Sequence, residues 1–328
     1  MNTLEEPDTK INYRQYKDGD EHAILSLYNS VFNRNTTIDQ WNWAYKENPE
    51  KHLDIILAFH GPDLVGQSAG SPLRFCFKNN IIKAIRVQNA MVHPDFRKKG
   101  IFTTTLKKLT EQEKLDLGVA FPVNTISFQT FLRKLDYHYL SDVFTFCLPV
   151  ASLIPAYSSY LHVVIDDKIH FPQSDRDFIL SCLTHYEIFN TRSLDYLHWR
   201  FNGKSGKKYL ILRAFRSECQ IALIIFKLYP DTQSVDLVEF FMVEDTTNPI
   251  PCLLNSILSY FSKKDVMVKS FNIWLFPHYT CYNALYESGF RQSSFLTHIM
   301  TKSYSPGTDK SFETGTSYYF SMGDSDVY

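Results

Sequence analysis

The 328-residue chain has no apolar run approaching the roughly 18–20 residues that a helix needs to cross a bilayer. Its first residues, Met1-Asn2-Thr3-Leu4-Glu5-Glu6, are polar and acidic, so no secretory leader is expected there. The six cysteines (Cys76, Cys147, Cys182, Cys219, Cys252 and Cys281) form no Cys-x-x-Cys pair, which argues against a disulfide framework and predicts reduced, mostly buried thiols. Cys281 follows His278 by three positions, but two lone ligands do not hold a metal, and none is expected. Charge of one sign is also missing: 34 basic against 35 acidic residues leave a net charge of −1, with no global attraction to nucleic acid or an anionic membrane. Neither the Gly-x-Gly-x-x-Gly of a dinucleotide site nor the Gly-Lys-Ser/Thr of a P-loop occurs, and there are no low-complexity tracts. These absences predict a cytoplasmic protein with neither nucleic acid nor membrane as partner.

The length exceeds the roughly 100–200 residues of one domain, so two domains are expected, and a hydrophobic content of 44% is enough for proper cores. The most informative stretch is Val92-His93-Pro94-Asp95-Phe96-Arg97-Lys98-Lys99-Gly100-Ile101-Phe102. It follows an apolar run from Val87 and leads into Thr103-Thr104-Thr105-Leu106-Lys107-Lys108-Leu109, which reads as a helix extending over about 102–116. A strand ending in a basic, glycine-bearing turn that feeds a helix N-terminus makes an anion cradle, because free N–H groups and the helix dipole converge there. Some fifteen residues on, Leu117 to Asn124 reads as a buried strand. It runs into Ser127-Phe128-Gln129-Thr130-Phe131-Leu132-Arg133-Lys134-Leu135-Asp136-Tyr137, a helix and its closing turn.

Together these segments resemble the GNAT superfamily of acetyl-coenzyme A-dependent N-acyltransferases. The resemblance implies that the two strands splay and admit the pantetheine arm and thioester between them. Backbone around Met91, Val92 and His93 would bind the thioester carbonyl and pantetheine amides. Arg97, Lys98, Lys99, Gly100, Ile101, Phe102 and Thr103 would surround the pyrophosphate, with Asn124 and Phe128 flanking the arm. Two departures stand out: Asp136 replaces the usual closing Gly, and the Tyr that often protonates the departing thiolate falls on Phe131 or Leu132, neither of which donates a proton. The base is likewise displaced. Where many relatives carry Glu on the cofactor strand, this chain has Gln88 followed by Asn89, amides that orient but do not take a proton. His93, Glu239 from the second half, or a water chain are the remaining candidates.

The chain also reads as one domain written twice. Phe32 to Tyr45 aligns with Ile188 to Phe201: Trp43 meets Trp199, Asp39 meets Asp195, Thr37 meets Ser193, and Tyr45 meets Phe201. A Ser or Thr stands before each short amphipathic helix as an N-cap would. Leu285-Tyr286-Glu287-Ser288-Gly289-Phe290 matches the helix-closing motif that ends at Tyr137. The copies differ where the first has its basic turn, since Glu244-Asp245-Thr246-Thr247-Asn248-Pro249-Ile250-Pro251 offers acids and prolines instead. Acids repel a pyrophosphate and prolines remove donors. The expected architecture is α/β (α+β): two tandem GNAT-like domains, 1–150 and 151–328, each a mixed, largely antiparallel twisted sheet flanked by helices. The first would bind acetyl-CoA, and the second would complete the acceptor pocket or stabilise the first by packing.

The tandem layout and the closing Tyr319-Phe320-Ser321-Met322-Gly323-Asp324-Ser325-Asp326 run resemble bacterial GNAT proteins of surface-polysaccharide clusters, whose acceptors are often nucleotide-linked amino sugars. An aromatic content of 15% suits stacking on bases and sugar faces, and Trp43, Trp199 and Arg200 are the acceptor-side candidates. Two readings stay open beside it: an N-acetyltransferase for another small amine (an aminoglycoside or polyamine), and a non-catalytic coenzyme A-binding sensor or scaffold.

Overall fold

The computed structural model describes residues 10–111, 115–156, 160–243, 247–304 and 310–325. The first half runs β1 (Ile11–Gln15), α1 (Glu21–Phe32), α2 (Ile38–Tyr45), β2 (Asp54–His60), β3 (Asp63–Phe77), β4 (Asn80–Val92), α3 (Ile101–Thr110), β5 (Leu117–Ala120), α4 (Thr125–Lys134) and β6 (His138–Pro149). The second half runs β7 (Leu161–Asp166), α5 (Gln173–Leu183), β8 (Ile188–Asn190), α6 (Leu194–Phe201), β9 (Leu210–Arg216), β10 (Cys219–Tyr229), β11 (Ser234–Met242), α7 (Ile250–Ser262), β12 (Ser270–Trp274), α8 (Tyr282–Glu287), β13 (Arg291–Ser303) and β14 (Tyr318–Tyr319).

The helix boundaries follow from side-chain chemistry that both halves share. Thr37 Oγ1 accepts from the Gln40 N–H at 3.3 Å, and Ser193 Oγ accepts from the Tyr196 N–H at 3.2 Å, so the aligned hydroxyls are N-caps. After α4 and α8 the chain turns through Asp136 (φ 56°) and Gly289 (φ 104°). Asp136 therefore takes the left-handed helix-ending conformation without a glycine, which Asp tolerates better than most residues. The acidic turn expected at 244–246 lies outside the described residues.

Every strand pairing is antiparallel except β4 with β5, β11 with β12, and β8 with β14, giving a mixed α/β fold with eight α-helices among the described residues. The strand order is β1-β2-β3-β4-β5-β13-β6-β12-β11-β10-β9-β7. This order reads the same from either end once each strand is exchanged for its counterpart in the other half. The centre of that symmetry is the β6·β13 pair. β13 lies against β5 (Met300↔Ala120) while β6 lies against β12 (Leu148↔Phe271), so each half lends its last long strand to the other. The expected division at residue 150 separates the halves along the chain, but the hydrogen bonds of the sheet run across it. Helices α3 and α4 bury Ile85, Val87, Leu106, Leu109, Ala120, Phe131 and Met300 on one face of the first half. Helices α1 and α2 bury Ile24, Leu27, Trp41, Ile55, Leu57 and Ala69 on the other.

The aligned tryptophans meet at the contact between α2 and α6. Trp43 Nε1–H donates to the Trp199 carbonyl and Trp199 Nε1–H to the Trp43 carbonyl, each at 2.7 Å, with the rings stacked 5.3 Å apart. This is the reciprocal geometry of a two-fold dimer contact, made within one chain.

A second tie is ionic and buried. Residues 318–325 thread between the halves, where Arg200 donates to the carbonyls of Gly323 and Ser325 at 3.0 Å each, and Arg86 donates to the Asp324 carbonyl at 2.8 Å. Arg192, fully buried, bridges Asp324 (2.7 Å) and Glu239 (3.1 Å). Burial pushes the Glu239 carboxyl up to about 7 against the pull of Arg192, and the neighbouring Asp324 carboxylate pushes it the same way.

Two outcomes are expected. Trp199→Ala loses about 3–5 kcal/mol in urea unfolding. The double variant with Trp43→Ala loses less than the sum of the two singles, because each single already removes the ring stacking that the pair shares. Because folded Glu239 holds its proton more tightly than the ordinary carboxyl at 4.5, its contribution is complete below that pH and is lost as pH rises through about 7. The urea midpoint of the wild type relative to Glu239→Gln should therefore fall as the pH is raised over that range. A gap that stays constant with pH rejects this account.

Candidate active site

The site begins with a defect in a hairpin. Along β3 and β4 the register pairs Gln67 with Met91 and Ala69 with Gln88, leaving two residues, Asn89 and Ala90, opposite Ser68. This bulge bends β4, and Asn89 sits in it at φ 50°. Its side-chain amide donates to the Tyr45 hydroxyl at 2.7 Å, and its carbonyl accepts from Gln67 at 3.3 Å, so the bulge is tied to both α2 and β3. On the other edge, β4 pairs in parallel with β5 only as far as Val87↔Ala120. Beyond that point β4 continues to Val92 while the other chain departs through Phe121 to Asn124, and the strands part. Met91, Val92 and His93 border this gap on one side. Asn124 stands on the other as the N-cap of α4, its side chain accepting from the Ser127 N–H at 2.9 Å.

The turn after β4 is built for close approach. Lys98 (φ 64°) and Gly100 (φ 77°) are both left-handed, and a Cβ placed on Gly100 would meet nothing within 4 Å. Helix α3 starts at Ile101, so the N–H groups of Ile101, Phe102 and Thr103 have no intrahelical acceptor. Arg97, Lys98, Lys99 and Gly100 are exposed; the turn is not covered by another element among the described residues. The helix itself is held hard against β3. Thr105 Oγ1 is 2.7 Å from Ser68 Oγ, and Gly66 allows Ile101 to pack so closely that a Cβ there would lie 2.6 Å from its Cγ2. Exposed cations and converging N–H donors over a rigid base suit a diphosphate.

The candidates for proton transfer are placed as follows. His93 is at the start of the turn, half-exposed, its Nδ1 accepting a long bond (3.4 Å) from the Asp95 N–H. Gln88 is buried, with Oε1 accepting from Arg86 at 2.8 Å. Glu239 sits in the other half, in the Arg192 ion network. Register explains its position: Ala69 pairs with Gln88 and Ile225 with Glu239, and 225 − 69 equals 199 − 43, the offset between the aligned tryptophans. Glu239 is thus the second half's counterpart of Gln88. Phe131 is buried in the core and Leu132 is exposed; Tyr137, whose ring packs on Phe131, lies 3.4 Å from Tyr304, with burial holding its hydroxyl well above its ordinary value. Phe128 packs on Tyr139 and on His298, which bonds Asp142 at 2.7 Å.

The acceptor-side candidates spend their donors internally. Trp43 and Trp199 bond each other, and Arg200 is buried against the carbonyls of Gly323 and Ser325 and the Tyr209 hydroxyl. The residues not anticipated from sequence are Tyr45, Arg86 and Asp324. For Arg86 a signal existed, a charge immediately before the apolar run that starts at Val87; for Asp324 the only signal was its place in the run Tyr319 to Asp326, which gave it no role.

The counterpart gap in the second half is filled. Pairing between β11 and β12 ends at Asp236↔Asn272. The space beyond, between Leu237, Val238 and Phe240 on one side and Ile273, Trp274 and Leu275 on the other, is lined by Tyr319, Phe320, Ser321 and Met322. Tyr319 donates to the Phe240 carbonyl at 3.3 Å and Tyr279 to the Phe320 carbonyl at 2.6 Å, fixing the segment in place.

Comparison with known proteins bears on the first half most directly. Residues 12–140 match the family model described as Acetyltransferase (GNAT) domain. No curated protein matches the sequence. Among solved structures the chain is similar to a probable N-acyltransferase from Enterococcus faecalis V583 (14% identity, TM-score 0.69, 94% of this chain and 74% of that one). It is also similar to a GCN5-related N-acetyltransferase from Anabaena variabilis ATCC 29413 (12% identity, TM-score 0.65, 89% and 72%). A tandem GNAT protein from the clavulanic acid biosynthesis pathway shares the fold over its whole length (12% identity, TM-score 0.62, 91% and 100%). These identities speak to fold alone; the family match speaks to the chemistry. Residues 12–140 are thus similar to the GNAT acetyltransferase domain, within a chain whose overall fold is that of the N-acyltransferase structures.

Proposed function

We propose that the chain transfers the acetyl group of acetyl-CoA to the amine of a small molecule, a nucleotide-linked amino sugar of surface-polysaccharide synthesis being the acceptor class. The observation that carries the cofactor half of this reading is the open, left-handed turn at the N-terminus of α3, set at the mouth of the gap between β4 and β5. Arg97, Lys98, Lys99 and the N–H groups from Gly100 to Thr103 hold the diphosphate. Backbone from Met91 to His93 lines one wall of the gap for the pantetheine arm and thioester carbonyl, and Asn124 borders the other. Acetyl-CoA supplies an acyl group already activated as a thioester, so the protein's share is to align the amine and stabilise the oxyanion.

The first 150 residues supply the cofactor slot, and residues 151–328 close the acceptor side. The filled gap between β11 and β12 supports this division, because a cofactor arm has no room where Tyr319 to Met322 already lie. A sugar amine is less basic than a lysine and has a sizeable neutral fraction near pH 7–8, so it needs only a weak base. His93 at the turn, or water relayed to it, meets that need. The stacking capacity of a chain with 15% aromatic residues suits a nucleotide-bearing acceptor.

Calorimetry with acetyl-CoA tests the cofactor site. Gly100→Val should weaken binding by about tenfold or more, since its Cβ and γ-carbons enter the cradle and its backbone resists φ 77°, while Arg97→Ala should cost about threefold to tenfold and more at low salt. Thiol release with a UDP-linked amino sugar, an aminoglycoside and a polyamine tests the acceptor. Turnover is expected with the sugar; tight acetyl-CoA binding without turnover on any amine would sink the catalytic reading in favour of a sensor.

A further inference from the structure

Gln88 occupies the place where a proton acceptor is expected, and its amide has only one possible orientation. It lies on the face of β4 shared by Ala84 and Arg86, opposite the face on which Ile85 and Val87 pack under α3 and α4. That is the side on which α2 and residues 318–325 stand. Arg86 Nη2 is 2.8 Å from Gln88, and a guanidinium has donors only, so the amide oxygen must be the atom that faces it. Arg86 is itself fixed, because its Nη1 donates to the Asp324 carbonyl at 2.8 Å. The amide nitrogen of Gln88 is thereby turned away from Arg86, and among the described residues no group accepts from it. The counterpart position in the second half shows the contrast. There the carboxyl oxygens of Glu239 face Arg192, which lies 3.1 Å away, in the place of an amide.

We infer that Arg86 is a positioning residue that makes Gln88 Nε2 a fixed hydrogen-bond donor on the acceptor face. The site then selects an amine with a hydrogen-bond-accepting oxygen, a hydroxyl or carbonyl, close to the reacting nitrogen. Gln88 holds that oxygen and leaves the amine's proton to another group. This rests on the acyltransfer reading above and narrows its acceptor to vicinal amino alcohols and their kin, among which amino sugars fall and simple polyamines do not.

The test compares the wild type with Gln88→Glu, Gln88→Leu and Arg86→Lys, using acetyl-CoA and a UDP-linked amino sugar from pH 6 to 9. Acetyl-CoA affinity is measured separately by calorimetry. Gln88→Glu replaces the amide donor by a carboxyl beside Arg86, whose ionised form offers acceptors only. Gln88→Glu and Gln88→Leu should each lose about tenfold or more in kcat/KM for the sugar, mainly through KM, with acetyl-CoA affinity changed by no more than about twofold. Arg86→Lys should keep part of the activity, because an ammonium still donates to Oε1. A Gln88→Glu enzyme as fast as the wild type, with a new ionisation in its pH profile, overturns the inference by showing that a base is what the position needs. Side-chain amide NMR reads the geometry without any acceptor. The two Nε2 protons of Gln88 should exchange places slowly in the wild type and faster in Arg86→Lys; fast exchange in the wild type also overturns it. Failure of the wild type to bind acetyl-CoA would instead bring down the acyltransfer reading, and the NMR result would still decide whether Arg86 fixes the amide.

Discussion

The sheet edge is the constraint from which the rest of this structure follows. Once β4 and β5 part to open a gap, β5 is held to β4 by only four residue pairs, and its outer edge must find a partner or expose its backbone groups. β13 supplies that partner, and β6 does the same for β12 on the far side. Because both strands come from the opposite half, neither half completes its own sheet. The rigidity of the gap therefore depends on the whole chain being folded.

The exchange brings with it a near two-fold relation, which the paired tryptophans keep and the two gaps break. Trp43 and Trp199 keep the symmetry, each satisfying the other's carbonyl. The gaps break it. The first has an open, basic, left-handed turn at its mouth. The second is narrowed to a small cavity by the segment Tyr319 to Met322. The same segment goes on to bind Arg86, Arg192 and Arg200, so the peptide that closes one gap also braces the strand that lines the other. Buried guanidiniums are costly unless their donors are matched; backbone carbonyls of residues 323–325 take donors of Arg86 and Arg200, and the carboxylates of Asp324 and Glu239 face Arg192.

Much of this was legible residue by residue. The alignment of Thr37 with Ser193 anticipated equivalent caps, because capping depends on a few neighbours, whereas the left-handed turn at Asp136 came without the glycine that marks it at Gly289. The left-handed basic turn at Arg97 to Gly100 and the helix start behind it were legible for the same reason: a turn and a helix start are local objects. The pairing of β13 with β5 was not, since residues about 180 apart leave no local mark of which edge they will join. Arg200 and the two tryptophans were legible as a cluster but not in role, because a sequence does not say whether an indole N–H faces a ligand or a carbonyl.

The sequence by itself determined the elements, the duplication and the place of the basic, glycine-bearing turn that opens a helix, since hydrophobic period, caps and turn residues act within a few residues. Tertiary structure alone decided which gap stays open, what the Glu239 and Gln88 side chains face, and which way the Gln88 amide points. Those outcomes are set by groups brought from distant parts of the chain into a dry interface. There a single guanidinium fixes the donor and acceptor ends of its neighbour.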